Sequence, residues 1–183
     1  MAYGDPAFPG KRAPTVADFE ALQDSGGRSP TINMIPVGMP RSACMTRYGF
    51  GMDSRLKTFI VEDNSTIREN LVDALEELTC IVAVGHAEAE DEARNWFDRN
   101  TDSWELAIVD LFLKQGSGLG VLQGCVERRP HQKVIVLSNY ATTDIRRRCL
   151  QLGADAVFDK SNEIDALIDF CVAQASARPA RMA

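Results

Sequence analysis

The sequence is poor in the residues that most metal and redox sites need. It has two histidines, His86 and His131, and none of its five cysteines is spaced as C-x-x-C. Isolated histidines do not form a zinc site, and widely separated cysteines inside apolar segments are typical of buried, reduced thiols. We therefore predict neither a zinc site nor a disulfide.

Long apolar runs and an excess of positive charge are also missing. No stretch approaches the roughly 20 apolar residues that a membrane-spanning helix needs, and the N-terminus lacks the basic and apolar segments of a secretory leader. The formal net charge of −6 argues against nonspecific binding to nucleic acid, which depends on neutralising phosphates with Lys and Arg. We expect a cytoplasmic protein with no membrane association and no direct nucleic-acid binding.

Proline and glycine are concentrated at the N-terminal end. Residues 1–55 hold six of the eight prolines and seven of the thirteen glycines, without a sustained helical or strand period. Such a composition does not bury a core, so we predict a disordered extension over 1–55, one folded domain over 56–175 and a tail over 176–183. The Pro- and Gly-rich composition ends at Met52, which we expect to be the natural start; otherwise residues 1–51 are a dispensable arm.

From Lys57 onward, short apolar runs alternate with segments of helical periodicity. The predicted strands are Thr58–Glu62, Ile81–Gly85, Leu106–Leu111, Val134–Ser138 and Ala156–Asp159. The predicted helices are Ile67–Leu78, Glu90–Arg99, Leu119–Arg128, Thr143–Leu152 and Glu163–Gln174. The first helix begins either with a capping box of Thr66 and Glu69 or with a cap at Asn64 or Ser65. Because the third and fourth strands are apolar without alternation, the pattern predicts a parallel sheet covered on both faces, in a doubly wound three-layer α/β sandwich.

Polar residues stand at the ends of four of the five predicted strands. Glu62 and Asp63 come with the first strand, Asp110 with the third, Ser138 with the fourth and Lys160 with the fifth. In a doubly wound fold these strand ends meet at the edge where ligands bind. Taken singly, each residue has an ordinary explanation as a cap, a turn or a surface residue, but their joint placement favours a functional site.

Three carboxylates at one edge repel one another and require positive charge nearby. Two unit charges about 4 Å apart interact by roughly 4 kcal/mol at an effective dielectric constant near 20. A divalent cation together with Lys160 would balance the charges of Glu62, Asp63 and Asp110, and hard carboxylate oxygens suit Mg²⁺. The sequence therefore predicts a Mg²⁺ site.

Four segments of the sequence, together with Gly118, resemble the hallmark segments of response-regulator receiver domains. The segments are Phe59–Asn64, Ile108–Asp110, Val134–Ser138 and Phe158–Ser161, and the similarity covers residues 57 to about 174. The resemblance implies a flavodoxin-like fold, with a five-stranded parallel sheet in the order 2-1-3-4-5 and five helices.

The resemblance also implies a role for each residue of the site. Asp110 is expected to be the phosphoacceptor, with Ser138 and Lys160 contacting the phosphoryl group. Glu62 and Asp63 are expected to bind Mg²⁺ together with Asp110 and the backbone carbonyl of Phe112. These roles agree with the chemistry, because a carboxylate can attack phosphorus to form an acyl phosphate and cations stabilise the transferring group.

Several positions depart from the family pattern. Lys114 stands where a proline is common, and Asn139 replaces the usual small residue after the hydroxyl at Ser138. Val157 occupies the place of an aromatic residue that often changes rotamer on activation, and the neighbouring Phe158 either substitutes for it or belongs to the core. Phe112 and Tyr140, two residues after Asp110 and Ser138 respectively, flank the expected approach of hydrolytic water.

The similarity predicts a phosphoacceptor with at most weak self-phosphorylation and self-dephosphorylation activity. Its donor would be a histidine kinase or a histidine phosphotransfer protein, and its output an unidentified downstream protein or onward transfer. Only Ala175–Ala183 follow the fifth predicted helix, so we expect a stand-alone receiver. One alternative is an interaction module that works without phosphorylation; an aspartyl phosphohydrolase is disfavoured, since Phe112 occupies the place of its second aspartate.

The basic run Arg146–Arg148 on the fourth predicted helix has two interpretations. Successive steps of about 100° spread these side chains around a helix, which favours an ordinary solvated surface. The sharper hypothesis is that some of them join Asp155, Asp165 and Asp169 in a signalling surface on the fourth helix, fifth strand and fifth helix. In similar receivers this surface is a frequent dimer interface, and the resemblance implies the same surface for a homodimer of this chain.

Overall fold

The computed structural model describes residues 55–177. The predictions made for residues 1–54 and for the tail beyond 177 therefore lie outside the described residues. The strands are β1 (Leu56–Val61), β2 (Ile81–Ala87), β3 (Leu106–Val109), β4 (Lys133–Ser138) and β5 (Ala156–Asp159). The helices are α1 (Ser65–Leu78), α2 (Glu90–Arg99), α3 (Gly118–Gly124), α4 (Thr143–Gln151) and α5 (Ile164–Ser176).

All the strand pairings are parallel, and the sheet order is β2-β1-β3-β4-β5. The predicted doubly wound fold and its strand order are therefore confirmed. The chain moves outward from β1 to β2 and then crosses back to β3 on the other side of β1. This reversal of direction leaves a crevice at the carboxyl ends of β1 and β3, the position at which open α/β sheets bind ligands.

Neighbouring residues along the central strands point to opposite faces of the sheet and build two cores. Phe59 and Val109 belong to one buried cluster, with side chains of α2 and α3 such as Phe97 and Val121. The other cluster contains alternate strand residues and side chains of α1 and α5; its central members are Ile60, Ile108, Ile135, Leu71, Leu75 and Leu167. Both faces of the sheet are covered, which explains the uninterrupted apolar runs of β3 and β4.

Some predicted boundaries differ from those in the structure. β3 ends at Val109, two residues before the predicted end, because the chain turns at Asp110 towards the next loop. α3 ends at Gly124 instead of Arg128, with Cys125 as its C-cap. α1 is capped by Asn64, one of the three predicted alternatives, whose side chain accepts a hydrogen bond from the backbone N–H of Ile67.

The cysteines follow the prediction only in part. Cys125, Cys149 and Cys171 are free and buried, as expected of thiols inside apolar segments. Cys80 is disulfide-bonded, so the prediction that the chain has no disulfide is wrong at this residue.

The helices over residues 55–177 are α1 to α5. None of them is both long and apolar enough to cross a membrane.

Candidate functional site

Every polar residue predicted from the strand ends lies at the carboxyl edge of the sheet. Glu62 and Asp63 directly follow β1, and Asp110 directly follows β3, the neighbouring strand. Ser138 is the last residue of β4, and Lys160 directly follows β5. The backbone N–H of Lys160 donates to the carbonyl of Ser138 at 3.1 Å, which ties the last two strand ends together.

Lys160 is the central cation of this edge. Its Nζ atom lies 2.6 Å from Oε2 of Glu62 and 2.7 Å from Oδ2 of Asp110. The three side chains are at most 10% exposed, so these are charge-assisted hydrogen bonds in a largely dry setting. Burial opposes the positive charge of Lys160, but the attraction of Asp110 and Glu62 outweighs it and raises the pKa of the lysine.

The environment of Asp110 disfavours ionisation of its carboxyl group. Burial raises its pKa to about 6, opposed by the attraction of Lys160 and assisted by the negative charge of Glu62. Oδ1 of Asp110 accepts a hydrogen bond of 3.3 Å from the backbone N–H of Phe112. One oxygen of Asp110 therefore contacts Lys160, and the other accepts a hydrogen bond from its own loop. The residue is 8% exposed.

The donor set at this edge fits a divalent cation. Glu62, Asp63 and Asp110 each offer a carboxylate oxygen, and these oxygens lie within 4.8 Å of one another. Hard oxygen ligands of this kind are those that Mg²⁺ and Ca²⁺ prefer. The contribution of the Phe112 carbonyl stays a prediction.

Two aromatic residues stand next to the reactive groups. The rings of Phe112 and Tyr140 meet edge to face, with centroids 4.9 Å apart. Phe112 also packs against the buried cluster of β1, β3 and α2, whereas Tyr140 is 37% exposed. The backbone N–H of Tyr140 donates to Oγ of Ser138 at 3.4 Å, so both aromatics belong to loops that are hydrogen-bonded to site residues.

The loop after Asp110 depends on close backbone packing. A Cβ atom at Gly118 would stand 2.1 Å from the carbonyl oxygen of Asp110, a distance that no side chain can occupy. The backbone N–H of Gly118 donates to the carbonyl of Leu111 at 3.0 Å. Glycine at this position therefore allows α3 to begin directly against the strand end that carries Asp110.

Arg68 is a site residue that was not predicted from the sequence. This α1 residue is 8% exposed, and its guanidinium donates to the backbone carbonyl of Glu62 at 2.7 Å and to Glu88 at 2.9 Å. The helical spacing contained a signal, because Arg68 lies three residues before Leu71 and seven before Leu75, which places it on the buried face. Arg68 thus holds the backbone of the acidic pair in place.

The interpretation of Arg146–Arg148 as a solvated surface is wrong for Arg146. Its guanidinium donates to the carbonyl of Ala141 at 2.8 Å, to the carbonyl of Val157 at 2.5 Å and to Glu163 at 2.5 Å. The hydrogen bond that Arg146 donates to Glu163 holds the pKa of that carboxyl group below its usual value. Arg146 therefore connects the loop after Ser138 with β5 and the start of α5.

The other members of the predicted signalling surface are placed differently. Arg147 and Arg148 are exposed, as are Asp165 and Asp169. Asp155 pairs with Arg128 and Lys133 at the start of β5, away from the reactive edge. Its place in that surface stays a prediction.

The position of the usual aromatic switch holds a buried aliphatic residue. Val157 is part of one core cluster. Phe158 packs against the other cluster and against Phe170, with ring centroids 5.8 Å apart. Of the two interpretations of Phe158, the structure favours membership of the core.

Comparison with known proteins gives a consistent result. The family model for the response regulator receiver domain matches residues 58–171. Among curated proteins, the chain is 25% identical over 126 residues to the photosynthetic apparatus regulatory protein RegA of Rhodobacter capsulatus, covering 66% of this chain and 63% of RegA. It is 32% identical over 101 residues to the response regulator protein PilR of Pseudomonas aeruginosa, covering 55% of this chain and 22% of PilR.

Solved structures with the same fold are numerous. The signal receiver domain of NarL from Mycobacterium tuberculosis superposes with a TM-score of 0.58 at 19% identity, covering 68% of this chain and 98% of that domain. A Burkholderia pseudomallei response regulator, solved with a phosphorylated aspartic acid, a calcium ion and citrate, has a TM-score of 0.54 at 24% identity. The superposition covers 66% of this chain and 69% of that structure.

Proposed function

This chain belongs to the response regulator receiver family, and from that premise we propose that Asp110 accepts a phosphoryl group from a histidine kinase or a histidine phosphotransfer protein in the cytoplasm. The observation that carries the proposal is the placement of Asp110, 2.7 Å from Lys160 and within one cluster with Glu62 and Asp63. A solved relative by fold holds a phosphorylated aspartic acid and a calcium ion, which supports both the modification and a divalent cation.

In the proposed transfer, a carboxylate oxygen of Asp110 forms a bond to phosphorus while the bond from phosphorus to the donor nitrogen breaks. The electron pair of that bond leaves with the donor imidazole. Lys160 stabilises negative charge on the phosphoryl oxygens, and Ser138 donates its hydroxyl hydrogen to one of them. Mg²⁺, held by Glu62, Asp63 and Asp110, would supply further charge stabilisation. The product is an acyl phosphate.

Signal output is proposed to follow from the movement of the loop after Ser138. When the Ser138 hydroxyl turns to a phosphoryl oxygen, that loop is drawn towards Asp110. Arg146 joins the same loop to β5 and to Glu163 at the start of α5, so the surface of α4, β5 and α5 is the proposed contact for a downstream protein or a second copy of the chain. The protein is thus a phosphoacceptor whose product is its own modified state.

The experiment that tests the proposal is incubation of the purified chain with acetyl phosphate and Mg²⁺, followed by intact mass measurement. The expected result is the addition of one phosphoryl group, and no addition when Mg²⁺ is chelated before the donor is added. A chain that stays unmodified with acetyl phosphate and with phosphorylated histidine donors would contradict the proposal and favour the interaction module that works without phosphorylation.

The lifetime of the aspartyl phosphate is predicted to depend on the Phe112 and Tyr140 pair. Because the two rings contact each other and their backbone N–H groups donate to Asp110 and Ser138, we expect them to exclude or misorient the water that attacks the phosphoryl group. Phe112→Asn, Tyr140→Ala and the double variant should lose phosphate faster, on the order of tenfold, which corresponds to about 1.4 kcal/mol of barrier. Decay is followed by intact mass after the donor is removed.

A matched control for the lifetime experiment is Leu150→Ala, which truncates another exposed apolar side chain. Leu150 lies on α4 and should leave the decay rate at the wild-type value. Equal or slower decay in all three aromatic variants would rule out the shield and indicate that the rings contact a partner protein instead.

A further inference from the structure

Lys114 makes a specific contact with one carboxylate of the site. Its backbone N–H donates to Oδ2 of Asp63 at 3.1 Å. Its ammonium group lies 3.5 Å from the same oxygen and 3.4 Å from the backbone carbonyl of Asp63. The residue thus reaches Asp63 through two donors, of which only the ammonium group carries charge.

The two lysines of the site divide the three carboxylates between them. Lys160 forms ion pairs with Glu62 and Asp110. The ion pair of Asp63 is made by Lys114. A cation that binds through Asp63 therefore meets an oxygen that already faces a positive side chain.

We propose that the ammonium group of Lys114 competes with Mg²⁺ for Asp63, and so raises the concentration of free Mg²⁺ that the site needs. The inference rests on the proposed function, because it concerns the same metal site. It adds a residue that determines metal affinity from outside the set of metal ligands.

The exposure of Lys114 explains why this competition is reversible. The Lys114 side chain is 76% exposed, whereas that of Asp63 is 14% exposed. An ion pair with one well-solvated partner is weak and sensitive to salt, and a long flexible stem can move its charge into solvent at little cost. Mg²⁺ can therefore displace the ammonium group while the backbone N–H of Lys114 keeps Asp63 oriented.

The test is to measure Mg²⁺ binding by the metal alone, using titration calorimetry on the full chain without any phosphodonor. Lys114→Met removes the charge and keeps both the length of the side chain and the backbone N–H. At about 0.1 M salt this variant should bind Mg²⁺ about two- to fivefold more tightly than wild type, the range expected for one exposed ion pair. The difference should shrink at high salt, and Mg²⁺ should raise the melting temperature of the variant more than that of wild type.

Two further variants separate a local effect from the loss of overall charge. Lys114→Arg keeps the charge and should bind Mg²⁺ as wild type does. Lys57→Met removes one exposed lysine from the start of β1, about 20 Å along the strand from Asp63 at roughly 3.3 Å per residue. It should also match wild type, because this distance exceeds a Debye length of about 10 Å at moderate salt.

The possible outcomes distinguish the inference from the proposed function. Equal Mg²⁺ affinity in Lys114→Met and wild type would overturn the role of Lys114 alone, as would an equal gain in Lys57→Met. If neither wild type nor Lys114→Met bound Mg²⁺, the metal site of the proposed function would fail, and this inference with it. Tighter binding confined to Lys114→Met supports the competition.

Discussion

Phosphorylation by acetyl phosphate is expected to fall below detection in Asp110→Asn. The amide has no negative oxygen to attack phosphorus, so the nucleophile itself is removed. Asp63→Ala should have a similar result for a different reason, because it removes one of the carboxylates that surround the proposed metal position. Both variants are incubated with acetyl phosphate and Mg²⁺, and the incorporated phosphate is measured by intact mass.

The control for this experiment is Asp169→Asn, which neutralises an exposed aspartate on α5. It makes the same chemical change to the same residue type, away from the reactive edge, and should be phosphorylated as fully as wild type. Phosphate incorporation that persists unchanged in Asp110→Asn would show that the acceptor lies elsewhere. Unchanged incorporation in Asp63→Ala would remove Asp63 from the site while leaving Asp110 in place.

The fold and the placement of the site residues were predictable because both depend on simple periodicities. Uninterrupted apolar runs identified buried parallel strands, and the positions just after those runs identified Asp110 and Lys160 without any knowledge of side-chain conformation. In a doubly wound sheet the strand ends converge whatever the details of the helices. The backbone topology alone therefore brings these two residues to one edge, and the 2.7 Å contact between them is its consequence.

The features that sequence analysis missed depend on side-chain reach. Arg146 stands in one run with Arg147 and Arg148, yet it alone of the three makes hydrogen bonds to Val157 and Glu163. Periodicity describes directions around a helix but does not show which carbonyl of another segment lies within reach. The same limit applies to Lys114, whose contact with Asp63 spans 51 residues of sequence.

The buried site also works against the stability of the folded chain. Glu62 is 2% exposed and Asp110 is 8% exposed, and Lys160 supplies one positive charge between the two carboxylates. Moving a carboxylate from water into such a setting is unfavourable unless its partners compensate fully. The raised pKa of Asp110 shows that the compensation is incomplete, which is the arrangement expected when residues are selected for chemistry more than for stability.

In the absence of Mg²⁺, Asp110→Asn is therefore expected to be more stable than wild type at pH 7. The pKa of Asp110 is raised from 3.8 to about 6 by burial, opposed by Lys160 and assisted by Glu62. Well below pH 4 the carboxyl group is protonated in both the folded and the unfolded chain, so it does not lower the free energy of unfolding. Between pH 4 and 6 the folded chain holds a proton that the unfolded chain has released, so stability falls as the pH rises, and above pH 6 the full cost is present.

The expected cost above pH 6 is about 3 kcal/mol, since each pKa unit corresponds to about 1.36 kcal/mol. Because the attraction of Lys160 is already included in this pKa, the asparagine variant escapes the cost while keeping a neutral side chain of similar size.

The free energy of unfolding is measured by urea denaturation at pH 4 to 7 in the presence of a chelator. Wild type and Asp169→Asn should share the decline across this range, and Asp110→Asn should lack most of it. Parallel curves for wild type and Asp110→Asn would show that Asp110 ionises without penalty in the folded chain. Added Mg²⁺ should narrow the gap at pH 7, because a cation bound to ionised Asp110 stabilises only the folded wild type.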